Sequence, residues 1–596
     1  MILHDKFSQG TELASLFFKE EEISMKNYLI TLLLLISSTV LAEDYEYKET
    51  KDLVNLVNDA GELLKNKGES AFEKLSKDHG QWREKDKYVF VLDPQGKMLV
   101  HPDQDLRGKI NLDLKDITGR PIIKGLIEAA TAFPKKQQGW YHYQWPIPGE
   151  IQPRWKSSFV KLIKAPSGKS YIVGSGMYNE RMERSFIKDI VKDAVGLFEK
   201  KGKKAFSSFH DETGRFRAKN SYIFVIDKKG TDLVNPAFPN LEGRNLLNMK
   251  DSENKEFIKD MLKIASDNGS GWVDYMWPKP GESVPTLKSA YIEKVKFQDN
   301  WLIIGSGVYL SSAKKEKSPL SEMSASELIK LVREASELIE KEGEGAFDKF
   351  KQKGSKWFKG DTYFFVWNMD GKRAMHAADP SLKGKNAKDD KDVLGRSYGK
   401  MFLDAVKSST GEGWVHYMYP FPNQVFPAWK SAFLKKVTLP SGKEQIIGSA
   451  SYHMKLDKVM IEDVVNRASE LISEKGIEAF KELRDKKGPF NFMDTYVFVD
   501  TPEGVELVNP AFPYLEGKNI AELKNVENKT VVKDYISAAL TKGKAWTHYL
   551  WYRPHETEVT LKRTFVRKVQ HGEDTYIVGS GLYVNPEDEK MAQEEK

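Results

Sequence analysis

Cysteine is absent from all 596 residues, which excludes disulfide cross-links, thiolate metal sites and cysteine nucleophiles. That absence does not fix the compartment, but a chain without thiols meets an oxidising one with no risk of mispairing. Charge of one sign is also scarce. With 92 basic and 86 acidic side chains the net charge is only +6, giving no case for a nucleic-acid partner, where a basic stripe is expected. Long apolar runs are missing too. The best candidate, Leu29 to Ile36, is well short of the roughly 20 residues that a membrane span needs. It follows Met25-Lys26 and precedes Ser37-Ser38-Thr39-Val40-Leu41-Ala42 and acidic Glu43-Asp44, the parts of a secretory signal peptide cleaved after Ala42. Residues 1–24 then read as an over-extended start and 25–42 as the signal. The mature protein is expected in the periplasm; an uncleaved signal anchored in the inner membrane is the alternative.

What the chain does contain is one pattern written four times. The copies run Tyr88-Val-Phe-Val to His101 to Trp140, Tyr143 and Trp145; Tyr222-Ile-Phe-Val to Asn235 to Trp272, Tyr275 and Trp277; Tyr363-Phe-Phe-Val to His376 to Trp414, Tyr417 and Tyr419; and Tyr496-Val-Phe-Val to Asn509 to Trp546, Tyr549 and Trp551. The first Tyr precedes the His or Asn by 13 positions in every copy, and a Lys follows the last aromatic by 11: Lys156, Lys288, Lys430 and Lys562. The Tyr-to-Tyr periods of 134, 141 and 133 residues are too long for a solenoid repeat of about 20–50, so each copy is expected to be a domain with its own core.

Each unit opens with an amphipathic helix. In the first, Leu53, Leu56, Val57, Ala60, Leu63 and Leu64 form a one-sided stripe that ends at Lys67-Gly68, where glycine suits a left-handed cap. A short helix from Ala71, a strand at 88–92, a glycine turn at Gly96 and a second strand at 97–100 follow. Next come a helix over roughly 119–131 and three strands at 139–145, 155–163 and 170–178. This order predicts an α+β domain of five antiparallel strands, with the long helix on one face and a pocket on the other. Units one and three share His101 and His376 (type A), whereas units two and four share Leu-Val-Asn-Pro-Ala-Phe-Pro from Leu233 and Leu507 (type B). The expected domains are 45–179 (A), 180–312 (B), 320–453 (A) and 454–588 (B), a duplicated two-domain module with a charged linker from Ser311 to Pro319.

The combined motif, best seen in Trp272-Val-Asp-Tyr-Met-Trp-Pro-Lys-Pro-Gly281 and Ile304-Gly-Ser-Gly-Val-Tyr309, resembles the single-module Cache domain of the second type, found in bacterial chemoreceptors and histidine kinases. The resemblance spans essentially all of 50–585. It implies four tandem Per-Arnt-Sim-like folds that bind small molecules, often short carboxylates. Family members usually continue into a membrane helix and a signalling module; no such continuation is expected within these residues, the main departure from the family pattern. Unit three departs at Ala377, Tyr419 and Ala450, and unit four at Ala545 and Tyr552-Arg553-Pro554, so those two pockets are expected to be altered or lost.

Strand alternation puts Tyr143 and Trp145 on one face and His142 and Gln144 on the other. The pairs Tyr275/Trp277, Tyr417/Tyr419 and Tyr549/Trp551 repeat this, and suit either an amphipathic pocket wall or plain core. Lys156, Lys288, Lys430 and Lys562 are the candidates for holding a carboxylate, against the alternative of lysines snorkelling at the sheet rim. His101, Asn235, His376 and Asn509 suit a hydrogen-bonding role at the hairpin or pocket rim, or structural capping; a metal would not survive the change from His to Asn. His142, His416 and His548 read as solvated. The Gly-Ser-Gly runs at 174–176, 305–307 and 579–581 lie within strands, without a following helix, and so permit close approach rather than cradle phosphate. No catalytic constellation, metal site or cofactor motif repeats with the units. The expected function is an exported small-molecule-binding sensor serving a membrane histidine kinase, chemoreceptor or transporter. A structural or adhesive array with degenerate pockets is the alternative, and an enzyme ranks last.

Overall fold

The computed structural model describes residues 45–584 apart from 78–79, 85, 133–135, 147–152, 179–180, 283, 311–322, 421–426, 526, 528 and 555–558. The expected signal peptide, the upstream segment and the linker from Ser311 to Pro319 lie outside the described residues.

Five antiparallel strands recur in each unit in the order second–first–fifth–fourth–third, so the fourth strand is flanked by the third and the fifth. In unit two these are Phe224–Asp227, Asp232–Val234, Ser270–Pro278, Pro285–Phe297 and Asn300–Tyr309. In units one and three the strands Arg83–Glu84 and Phe358–Lys359 extend the sheet to six, an addition the sequence pattern did not signal. Alternation along the strands creates two cores. On one face the long helix Arg184–Lys201 lays Ile187, Val191, Ala194 and Phe198 against Val225, Tyr291 and Ile304. On the other face the middle helix Phe257–Asn268 covers Phe224, Ile226, Tyr275, Trp277 and Ile292. Gly305 has a steric reason: a Cβ there would lie 2.4 Å from Phe224 Cζ.

The expected boundaries shift where turn chemistry intervenes. The middle helix of unit one spans Ile122–Thr131, because extended Pro121 fixes its start. The glycines that end the long helices do not adopt the left-handed cap. Gly202 sits at φ 57, ψ −144, Gly343 at φ 62, ψ −144 and Gly476 at φ 56, ψ −133, a region open essentially to glycine alone. The long helix of unit three, Ala325–Glu342, begins with a reciprocal capping box between Ser324 and Glu327.

Each type A unit docks onto the B unit that follows it. Arg120, nearly fully buried, donates from Nη1 to Gly214 O at 2.6 Å. Arg396 repeats this in unit three with Nη2 to Gly488 O at 2.9 Å and Nη1 to Asn491 O at 2.5 Å. This contact corrects the solvated reading of two histidines. His142 and His416 are both only 3% exposed because the next unit covers the outer face of the third strand. His142 packs 5.2 Å from Phe186, and His416 stacks on Phe492 at 4.0 Å. Burial drives the His142 pKa down to about 3, so the ring stays neutral, and its Nδ1 lies 2.8 Å from Ser157 Oγ. His548 and Asp274, at the same position in the B units, are exposed as expected. Arg396→Met is expected to cost about 2–4 kcal/mol, since two carbonyls lose a buried donor, and to lower the first calorimetric transition of the whole chain.

Candidate functional site

The strand register assembles one cluster in every unit. In unit one, Tyr143 on the third strand pairs across Lys156 on the fourth, which pairs across Tyr178 on the fifth. The same rows are Tyr275–Lys288–Tyr309, Tyr417–Lys430–Tyr452 and Tyr549–Lys562–Tyr583. The Tyr that opens each copy closes the cluster from the first strand: Lys156 Nζ donates to Tyr88 Oη at 2.7 Å, Lys288 to Tyr222 at 3.1 Å, Lys430 to Tyr363 at 3.0 Å and Lys562 to Tyr496 at 2.9 Å.

All four lysines are buried, with exposures of 0–2%, so they do not snorkel at the rim. Each ammonium lies within 4.4 Å of a tyrosine ring centroid: 3.9 Å for Lys156 over Tyr88, 4.2 Å for Lys288 over Tyr222, 4.4 Å for Lys430 over Tyr363 and 4.2 Å for Lys562 over Tyr496. Such cation–π contacts partly replace the lost hydration. Among the described residues the hydrogen-bond acceptors of these ammonium groups are phenols, not carboxylates. Burial accordingly lowers all four lysine pKa values to about 7. The arrangement concentrates one titratable positive charge, ringed by aromatic faces, at the centre of each unit.

The remaining expected residues divide. Tyr143, Tyr275, Tyr417 and Tyr549 are buried beside the ammonium; Tyr143 Oη lies 3.1 Å from Ser158 Oγ, and Tyr275 stacks on Phe257 at 4.4 Å. Trp277 is buried and donates from Nε1 to Tyr222 Oη at 3.1 Å. Trp145, Tyr419 and Trp551 are half-exposed at the edge of the same face. His101, His376, Asn235 and Asn509 cap the loop after the second strand, accepting from the amides of Asp103, Asp379, Phe238 and Phe512 respectively. The His101 ring also meets Tyr88 edge-on at 5.1 Å, which places it one layer behind the ammonium. Burial holds its pKa down to about 3, and that of His376 to about 4.

Eight residues of the cluster were not assigned to the site from the sequence: Tyr88, Tyr222, Tyr363 and Tyr496 on the first strands, which served there only as markers of the repeat, and Tyr178, Tyr309, Tyr452 and Tyr583 on the fifth. Their signal was present, since both positions are tyrosine in every copy. The second Gly of Gly-Ser-Gly has its explanation here too. A Cβ on Gly176 would stand 2.4 Å from Lys156 Cε and 2.5 Å from Ser158 Oγ. Unit three carries Ala450 at this place, and the residue opposite it is Ala432 rather than serine. Gly176→Ala is expected to destabilise unit one by about 1–3 kcal/mol, with Ser158→Ala recovering part of the loss in denaturant titrations.

A buried carboxylate ties this cluster to the loop before the middle helix. Asp116 Oδ2 accepts from the amide of Gln144, between Tyr143 and Trp145, at 2.9 Å, and Asp251 and Asp392 do the same for Met276 and Met418. The cavity defined in unit two, about 360 Å3, lies elsewhere, on the outer side of the third strand among Arg184, Lys255, Asp260, Lys263, Trp272 and Asp274. No group of three His, Asp or Glu among the described residues is placed to hold a metal ion, and no described helix is long and apolar enough to cross a membrane.

This geometry, a Per-Arnt-Sim-like α+β sheet with a long helix behind it, defines a sensor-domain fold repeated four times. Residues 47–206, 198–337, 349–476 and 459–595 each match the Cache domain family, and the chain belongs to it. The methyl-accepting chemotaxis protein McpP of Pseudomonas putida is 34% identical over 97 residues, 16% of this chain and 18% of that protein. The sensor histidine kinase MctS of Rhizobium johnstonii is 34% identical over 93 residues, 15% and 19% of the two chains. The chain thus matches less than a fifth of the length of each of these curated relatives. A solved Cache chemosensory domain, described for carboxylic acid recognition, is 28% identical with a TM-score of 0.18, covering 20% of this chain and 84% of its own.

Proposed function

We propose that the protein is an exported, periplasmic small-molecule sensor whose units capture short organic carboxylates at the buried lysines and report occupancy to a membrane partner, a histidine kinase, chemoreceptor or transporter. The observation that carries this is the buried ammonium group, present four times, which meets phenols where an ion pair is expected. An isolated interior charge is costly, and a carboxylate is the simplest counter-charge. The tyrosine hydroxyls around it supply donors for the second carboxylate oxygen. Because each lysine is sealed, a ligand enters only when the capping loop and middle helix move aside. Lys156, Lys288, Lys430 and Lys562 are assigned to the carboxylate, the four aromatic pairs to the wall, and His101, Asn235, His376 and Asn509 to holding the loop. The domain limits 45–179, 180–312, 320–453 and 454–588 belong to the same proposal.

The sealed packing also favours a second reading, a scaffold of docked units whose sites are closed for good. Thermal-shift titration of the whole chain with acetate, propionate, lactate and pyruvate separates the two. A sensor gains stability by mass action, about 2.7 kcal/mol at a hundredfold excess over Kd, and loses that gain when the four lysines become alanine. No gain with any of the four acids selects the scaffold.

A further inference from the structure

Around the constant lysine and tyrosines, one wall position changes charge from unit to unit. On the second strand it is Met98 in unit one, Asp232 in unit two, Arg373 in unit three and Glu506 in unit four. Asp232 pairs in register with Ile226, and Glu506 with Asp500, so both acids share the face of the sheet on which the lysines lie. Asp232 is 1% exposed; Asn235 Nδ2 donates to its Oδ2 at 2.8 Å, while among the described residues its Oδ1 has no hydrogen-bond donor at bonding distance. Unit four goes further, with two linked exchanges. Where unit two has Ile226 and Met261, unit four has Asp500 and Tyr535, whose hydroxyl donates to Asp500 Oδ2 at 2.6 Å, leaving Oδ1 without a hydrogen-bond donor among the described residues in a fully buried side chain. Glu506 Oε1 accepts from Asn509 Nδ2 at 2.8 Å. The asparagine of the B units therefore holds the acid, a task that His101 and His376 in the A units do not have.

We infer that the B units carry a second, anionic subsite for a protonated amine, so that units two and four take amino-bearing ligands while units one and three take simple carboxylates. This rests on the carboxylate reading above and adds the partner for the other end of the ligand. A partnerless carboxylate oxygen in an apolar interior is as costly as a partnerless ammonium. One molecule with an acid at one end and an ammonium at the other satisfies Lys288 and Asp232 together. Both acids are near enough to feel the lysine: burial pushes Asp232 up to about 7, and burial with the neighbouring Asp500 raises Glu506 well above the usual carboxylate range, while the Lys288 and Lys562 charges pull Asp232 and Glu506 back towards the ionised form. Unit four, with two acids to one ammonium, is suited to the more cationic ligand. Arg373 reverses the preference in unit three. It is buried, donates to Asp390 Oδ2 at 2.6 Å, and excludes an amine by charge.

The test is calorimetric titration of the whole chain with propionate and with glycine, β-alanine and γ-aminobutyrate. In the wild type, an amino acid of this series binds at two sites and propionate at the other two. The double variant Asp232→Met, Glu506→Met, which installs the residue of unit one, weakens amino-acid binding at least tenfold and raises the propionate stoichiometry from two towards four. Asp232→Asn with Glu506→Gln, isosteric and safe for folding, gives the same loss. Amino-acid affinity unchanged in both variants overturns the inference and leaves the carboxylate reading standing. Absence of both propionate and amino-acid binding in the wild type overturns both.

Discussion

Replacing Lys156 with methionine is expected to abolish carboxylate binding by unit one and, without ligand, to make that unit more stable. The two effects come from the same group. Lys156 is fully buried and donates to the hydroxyls of Tyr88 and Tyr178, so the folded protein bears a desolvation cost that a thioether of similar length does not. Exchanging buried charge for apolar volume stabilises by about 1–4 kcal/mol in comparable cases. A structural lysine would behave in the opposite way, since its removal would strip a useful contact. The outcome at Lys288 serves as an internal control. There Asp232 loses a compensating cation, so Lys288→Met should gain less stability than Lys156→Met or none at all. Differential scanning calorimetry of the three proteins, with and without propionate, reads both quantities. A fall in stability at Lys156→Met, with the ligand response intact, would remove the lysine from the site.

The repeat made much of this legible. Four copies at fixed offsets identify residues that matter to each unit, and strand alternation alone puts Tyr143 with Trp145 on one face, whereas the register is what brings Lys156 onto that face. What escaped was whatever depends on which strands become neighbours. Tyr178 is 22 residues from Lys156, yet the register sets them directly opposite one another; the strand order that joins the first strand to the fifth brings in Tyr88 from 68 residues away. In the sequence these tyrosines look like ordinary β residues, and their burial matches that reading.

The misplacement of His142 and His416 has a different cause. Alternation assigned them correctly to the face opposite Tyr143 and Tyr417. Whether that face meets water depends on the next domain, and the signal for docking was divided between units. Arg120 and Arg396 stand where the B units carry Lys255 and Lys529, and Phe186 and Met460 begin helices whose counterparts in the A units have Asp52 and Glu327. Each substitution is unremarkable alone. Together they specify that A docks onto B, which the structure realises through Gly214 and Gly488. The charge series Met98, Asp232, Arg373 and Glu506 was hidden for a related reason: in strands of three or four residues no periodicity distinguishes a wall position from a solvated one.

Carboxylate affinity in units one and three should fall as pH rises above about 7. Burial sets the ligand-free pKa of Lys156 and Lys430 at about 7, well below the usual 10.5, with only a small upward pull from Asp86 and Asp361. Neighbouring groups do not confuse the window: His101 and His376 are already neutral, and burial keeps Tyr88 and Tyr363 protonated beyond their usual range. A bound carboxylate stabilises the ammonium and so raises its pKa, which means that binding above pH 7 takes up a proton. Affinity is flat only from about pH 6, where simple aliphatic acids are largely ionised, to about 7, and then declines with a limiting slope of roughly one decade per pH unit. The folding sign is the reverse. Between about 7 and 10.5 the unfolded chain holds a proton that the ligand-free folded unit has released, so stability rises with pH across that interval and the penalty is fully present below it. Calorimetric titration with propionate in buffers of different ionisation enthalpy would register the proton uptake directly. Affinity independent of pH from 6 to 9, with no proton exchanged, would mean that the ammonium does not meet the acid.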